Sequence, residues 1–154
     1  MGIEYRGRSI SNGVGEGEAL VTKQGLSFLG GVDPETGMVT EVGHELFGKT
    51  LGGKILVLPT LKGSAGGMWI IIRLAAAKKG PKAIVVPQVD TILVGAVIIG
   101  GIPTVDALPQ EVFQSLKSGD RLNRLCKSMR GQVISETKHS CRTELQLNRW
   151  NASQ

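Results

Sequence analysis

A strand, a loop, a helix and a second strand follow one another between Lys54 and Val86, and few folds accommodate that order. KILVLP, Lys54 to Pro59, reads as a buried strand, apolar from Ile55 onward. TLKGSAGG is a loop of small residues, and Met68 to Lys79 (MWIIIRLAAAKK) reads as a helix stopped by Gly80-Pro81. Ala83 to Val86 is apolar again. A crossover helix between two strands of one sheet makes them parallel, so a partly parallel sheet with helices packed on it is expected.

The flanks extend this pattern. Ile3 to Ile10 and Gly17 to Lys23 read as strands, Ile92 to Ile99 as a short helix, Ile102 to Val105 as a strand and Pro109 to Lys117 as another short helix. Arg121 to Leu125 reads as a strand, with Gly131 to Ser135 pairing back on it as a closing hairpin. At 154 residues, with 22 glycines and 4% aromatics, the chain suits one compact sheet-rich α/β or α+β domain better than a helical bundle. The domain is expected over residues 1–136, followed by a polar, flexible tail over 137–154. Between the second strand and KILVLP lies LSFLGGVDPETGMVTEVGHELFGKTLGG, dense in turn signals. A loop that long is usually functional or partner-facing.

Several function classes recede on composition. Ile92 to Val105 is the longest apolar stretch, and Gly95, Gly100, Gly101 and Pro103 interrupt it, so it reads as core and not as a membrane span. Cys126 and Cys141 are too few and too far apart for a metal or cluster framework, and a cytoplasmic chain with free thiols is expected. The net charge of +5 lies wholly at the C-terminal end: residues 1–116 hold ten Lys/Arg and ten Asp/Glu, and residues 117–154 hold eight and three. Arg121, Arg124, Lys127 and Arg130 have no aromatic interleaving, so a solvated face is expected in preference to a nucleic-acid groove.

GHELFGKT, Gly43 to Thr50, has the spelling of a phosphate-binding P-loop. Such a loop must sit between a strand and a helix, so that backbone N–H groups and the helix N-terminus meet the phosphates. Here His44, Glu45, Leu46 and Phe47 are bulky or acidic, and a strand follows instead of a helix. The stretch is expected to be a turn. LKGSAGG has the context that GHELFGKT lacks, because a helix follows it. Lys62 brings positive charge, Gly63, Ala65 and Gly66 keep the backbone open to close approach, and Ser64 carries a hydroxyl there. Spacing alone leaves three roles for Ser64: an N-cap, part of an anion-binding loop, or a catalytic serine. With His44 in a turn and His139 in the tail, no Ser-His-acid triad is supported.

GEALVTKQGLSFLGGVDPETGMV, then GKTLGGKILVLP, GS-x-x-G, GPKAIVV, TILVGAVIIGGIPTVD and LKSGDRL together resemble the small subunit of aconitase X, from about Ile3 to Ser135. The resemblance implies a swivelling β/β/α barrel-like domain that closes over an active site built mainly by a large subunit. That partner would carry an iron–sulfur cluster, and no metal would bind to this chain. Ser64 aligns with the family's catalytic serine, which acts as general base on the proton α to a substrate carboxylate while the hydroxyl leaves from the next carbon toward iron. The family often has Arg before the Gly-Ser pair and serines after it, where this chain has Lys62 and Ala65-Gly66-Gly67.

The implied reaction is dehydration of a hydroxy acid. LSFLGGVDPETG resembles the type acting on mevalonate 5-phosphate, and GSAGGM is similar to the loop of the cis-3-hydroxy-L-proline type. A non-catalytic binding module that keeps the swivel fold is the remaining alternative. As a hydro-lyase subunit, the chain would work only with its large subunit, as a heterodimer or larger complex, on a small-molecule substrate and with neither nucleic acid nor membrane as partner.

Overall fold

A computed structural model describes residues 2–63, 65–126 and 142–148. Seven of the described strands close into a barrel: β1 (Gly2–Ser11), β2 (Gly13–Val21), β4 (Lys54–Val57), β6 (Ala83–Val85), β7 (Thr104–Asp106), β8 (Arg121–Cys126) and β9 (Arg142–Asn148). Around the barrel the order is β1-β7-β6-β4-β2-β8-β9, with β9 returning to β1. β2, β4, β6 and β7 run parallel, as the crossover unit requires, and the pairs made by β1, β8 and β9 are antiparallel. β3 (Leu26–Ser27) and β5 (Leu61–Lys62) form a separate two-stranded parallel sheet. The α/β reading and the barrel-like architecture are what the structure has.

β4 explains why KILVLP is apolar from Ile55 onward. Ile55 and Val57 join Ala83, Val85, Val105 and Leu122 inside the barrel, which α3 (Gln110–Ser115) helps to fill with Val112. Leu56 and Leu58 belong to the second core, between barrel, helices and long loop, with Phe28, Ile71, Leu74 and Leu93. Alternate residues thus feed two cores, and all four are 0–1% exposed. Burying each such side chain contributes about 1.5–3 kcal/mol.

The helix over Met68 to Lys79 becomes α1 (Ala65–Ala76), shifted toward the N-terminus. Ala65-Gly66-Gly67, read as loop, already forms its first turn. At the other end Lys78 takes a left-handed conformation (φ 57°), and the N–H groups of Lys79 and Gly80 both bond to Leu74 O. That closes the helix before Gly80-Pro81 is reached. α2 (Thr91–Gly100) is capped by Asp90, which accepts from Leu93 N at 2.7 Å, and by left-handed Gly101. β2 begins at Gly13, ahead of the expected Gly17, because Gly13 to Glu18 pairs with β8.

Two further expectations are corrected or fall elsewhere. Arg142–Asn148, within the segment read as a flexible tail, is β9, hydrogen-bonded on both sides, to β8 and to β1. T-E-L-Q-L-N alternates with strand period, and that short alternation outweighs the polarity of its surroundings. The strand that pairs back on β8 is therefore β9; the expected Gly131 to Ser135 strand lies outside the described residues, as do 137–141 and 149–154.

The long loop is packed, not loose. Phe28, Val32, Val39, Leu46 and Leu51 are all buried in the second core. Asp33 accepts from Glu35 N and Thr36 Oγ1, and Gly37 (φ 74°) lies so close to the end of α1 that a Cβ there would stand 2.4 Å from Lys79 O. At the barrel seam Arg8 grips the fully buried Asp106 with two hydrogen bonds of 2.7 and 2.8 Å, and Asp106 also accepts from Val89 N.

Candidate active site

The loops at the C-terminal ends of the parallel strands face one side of the barrel, the edge where α/β sheets usually bind ligands. The loop after β4 is anchored by β5, whose Leu61 and Lys62 pair with Leu26 and Ser27 of β3. Gly63 then turns the chain with φ 117°, a conformation that favours glycine. α1 starts at Ala65. Ser64, the candidate base, lies outside the described residues. The four other site residues expected from the sequence, Lys62, Gly63, Ala65 and Gly66, lie together at this junction of β5 and α1.

Glycine at 66 and 67 lets the long loop come near. A Cβ on Gly66 would stand 2.7 Å from the Leu29 side chain, and one on Gly67 would make ordinary contact with Phe28 at 3.6 Å. The hollow beside these residues, lined by Phe28, Leu61, Gly63, Gly67, Asp90 and Ile92, measures only about 10 Å³. That is the space of about one water molecule. Among the described residues this hollow is too small to hold a substrate.

Lys62 is not a free charge. Its Nζ donates to Glu41 Oε1 at 2.7 Å, and Ser27 N donates to the other Glu41 oxygen at 3.2 Å. The Lys62 ammonium, with the Ser27 N–H behind it, holds the Glu41 carboxyl below the usual glutamate range, against the opposing effect of partial burial. Glu41 went unnoticed in the sequence, because nothing in the spelling of the long loop aims it at a residue 21 positions later.

GHELFGKT is a staple and offers no phosphate cradle. His44 N bonds to Glu41 O, Glu45 N to Gln24 Oε1, Phe47 N to His44 O and Gly48 N to Val39 O. The buried His44 ring accepts from Leu46 N through Nδ1 at 3.0 Å, so Nε2 carries the proton and donates to Gly25 O at 3.2 Å. Glu45 accepts from Thr22 Oγ1 and Lys23 N, tying the loop to the end of β2. The N–H groups a phosphate would need are spent on the fold.

A larger cleft of about 560 Å³ opens at the same end of the barrel, between Val21, Lys23, Pro59, Pro87, Leu108 and Phe113. None of the candidate site residues lines it. Among the described residues no group of three or more His, Cys, Asp or Glu could hold a metal ion, so they offer no ligand set for an iron–sulfur cluster. No helix among them is long and apolar enough to cross a membrane.

The family model described as the aconitase X swivel domain matches residues 4–135. The chain belongs to that family. It is 44% identical over 120 residues to the phosphomevalonate dehydratase small subunit of Thermococcus gammatolerans, covering 78% of this chain and 89% of the relative. To the small subunit of the same name from Methanosarcina mazei it is 42% identical over 118 residues, covering 77% and 82%. Its fold superimposes on a crystal structure of Thermococcus kodakaraensis aconitase X in the holo form with a TM-score of 0.76 and 38% identity, over 93% of this swivel-domain chain and 98% of the other.

Proposed function

We propose that this swivel-domain chain is the small subunit of a phosphomevalonate dehydratase, removing water from mevalonate 5-phosphate to give an anhydromevalonate phosphate. The observation that carries the reading is its match to curated small subunits of that name over 82–89% of their length. In this reading a large subunit covers the β5–α1 loop. The exposed Leu29 and Trp69 beside the first turns of α1, 53% and 64% accessible, support that role.

Ser64 is the general base in this scheme. Its oxygen takes the proton α to the substrate carboxylate, the electron pair moves into the new double bond, and the hydroxyl departs from the neighbouring carbon on the partner's side. A serine hydroxyl can do this only where positive charge and N–H donors stabilise its deprotonated form. Lys62, the backbone of Gly63, Ala65 and Gly66, and the α1 N-terminus are the groups assigned to that work and to holding the substrate's anionic end. The iron–sulfur cluster of this scheme belongs to the large subunit, where it supplies a Lewis acid for the leaving hydroxyl. The complex would work in the cytoplasm.

The test is co-production with the large-subunit gene of the same genome and assay of dehydration. Turnover of mevalonate 5-phosphate by the complex, with neither chain active alone, is the expected result. Turnover of cis-3-hydroxy-L-proline instead, or a complex that dehydrates neither, would refute the assignment.

A further inference from the structure

We propose that Glu41 tunes ligand affinity by competing with the substrate's anionic group for the Lys62 ammonium. The proposal rests on the function proposed above, in which the β5–α1 loop receives that group.

Geometry makes the competition direct. Lys62 is the basic side chain on the loop from Leu58 to Gly63, and its Nζ already donates to Glu41 Oε1 at 2.7 Å. The lysine stem is laid down over Gly25, where a Cβ would come within 3.0 Å of Lys62 Cγ. The carboxylate is held from behind by Ser27 N, on the strand that pairs with Lys62 itself. Stem and carboxylate are thus both fixed, and the ammonium at the tip is the part with freedom to move. Its side chain is 51% exposed and that of Glu41 25%, so a ligand reaches the lysine from the open side while Glu41 stays in the wall.

An ion pair of this kind presents little net charge to solvent. An arriving anion has to share or detach the lysine, and it meets the glutamate's negative charge while doing so. Glu41 opposes any anion at this place, and its repulsion grows with the anion's charge, so it offsets part of what Lys62 contributes to holding a phosphate. It therefore lowers the affinity that an unpaired lysine would give.

The assembled complex provides the test. Glu41→Gln keeps an oxygen to accept from Ser27 N and removes the charge. The expected result is a fall in KM for the phosphorylated substrate, and in the inhibition constant of inorganic phosphate, of roughly three- to fivefold at low salt, shrinking as salt is added. kcat should move less than KM. Lys62→Met should raise both constants, and Glu41→Gln should lower them by less in that background than it does beside Lys62. A glutamate with a merely structural part would alter the melting temperature and leave these constants alone. If Lys62→Met raises the constants and Glu41→Gln fails to lower them, the competition is wrong while the anion loop stands. If Lys62→Met itself has no effect, the loop is not the anion site and both readings fall.

Discussion

Gly67→Ala separates what α1 needs for stability from what its first turn does for function. Gly67 is the third residue of α1, and a helix position held by glycine instead of alanine costs up to about 1 kcal/mol, less near an end. The added methyl would meet Phe28 Cβ at 3.6 Å and Leu29 N at 3.8 Å, both ordinary contacts, so no strain offsets the gain. The expected change is a stabilisation of about 0.5–1 kcal/mol, or about 1–4 °C in melting temperature for a chain of this size. Urea and thermal unfolding of this chain would measure it. Destabilisation by more than about 0.5 kcal/mol would show that the contact argument is wrong. In the complex the same variant should keep its turnover, because the methyl is directed at Phe28 and Leu29 of the long loop. Lost turnover in a variant that is more stable and still assembles would show that this turn needs a bare backbone for function.

Three other outcomes are expected. Ser64→Ala in the cluster-loaded complex should abolish dehydration and leave assembly intact by gel filtration; near wild-type turnover would remove that serine from the chemistry. Gly7→Ala should destabilise the barrel by about 2–3 kcal/mol in urea unfolding, since its Cβ would lie 2.5 Å from the Asp106 backbone oxygen, which cannot step aside. Stability should fall in acid. The hydrogen bond from Thr22, ahead of those from the Lys23 and Gln24 N–H groups, lowers the Glu45 carboxyl below its ordinary value of 4.5, and Lys62 does the same for Glu41. Their contribution is complete above the unfolded value and disappears as pH falls through the lower folded one, so the urea midpoint should drop across that window and drop less in Glu45→Gln.

Much of the architecture was legible because it rests on local pattern. KILVLP reads as a buried strand since both its faces meet a core, and the Asp90 and Gly101 caps bracket α2 within a residue or two of the expected span. β3 and β5, two residues each, leave no periodic trace, and β9 was lost to the polarity of its neighbours. The site divides in the same way. The turn at Gly63 and the following helix could be read from small residues in sequence, whereas the Lys62–Glu41 pair exists only because the long loop folds back. Ser64 is a separate case: its local spelling fits a cap as well as a base, and only the family resemblance favours the second.

The way β9 closes the barrel has a consequence for biosynthesis. β1 pairs with β7 and β9, and Gly2 lies opposite Asn148, so the first of the described strands to be made waits for the last of them. At about 5–20 residues per second, that wait is roughly seven to thirty seconds on the ribosome. During it β1 has no partner on its β9 side, an unpaired edge of the kind that recruits other chains. β4 and β6 are successive strands of the barrel and neighbours in it, and can pair long before. Chaperone demand should accordingly concentrate on the N-terminal strand and end only when the barrel shuts.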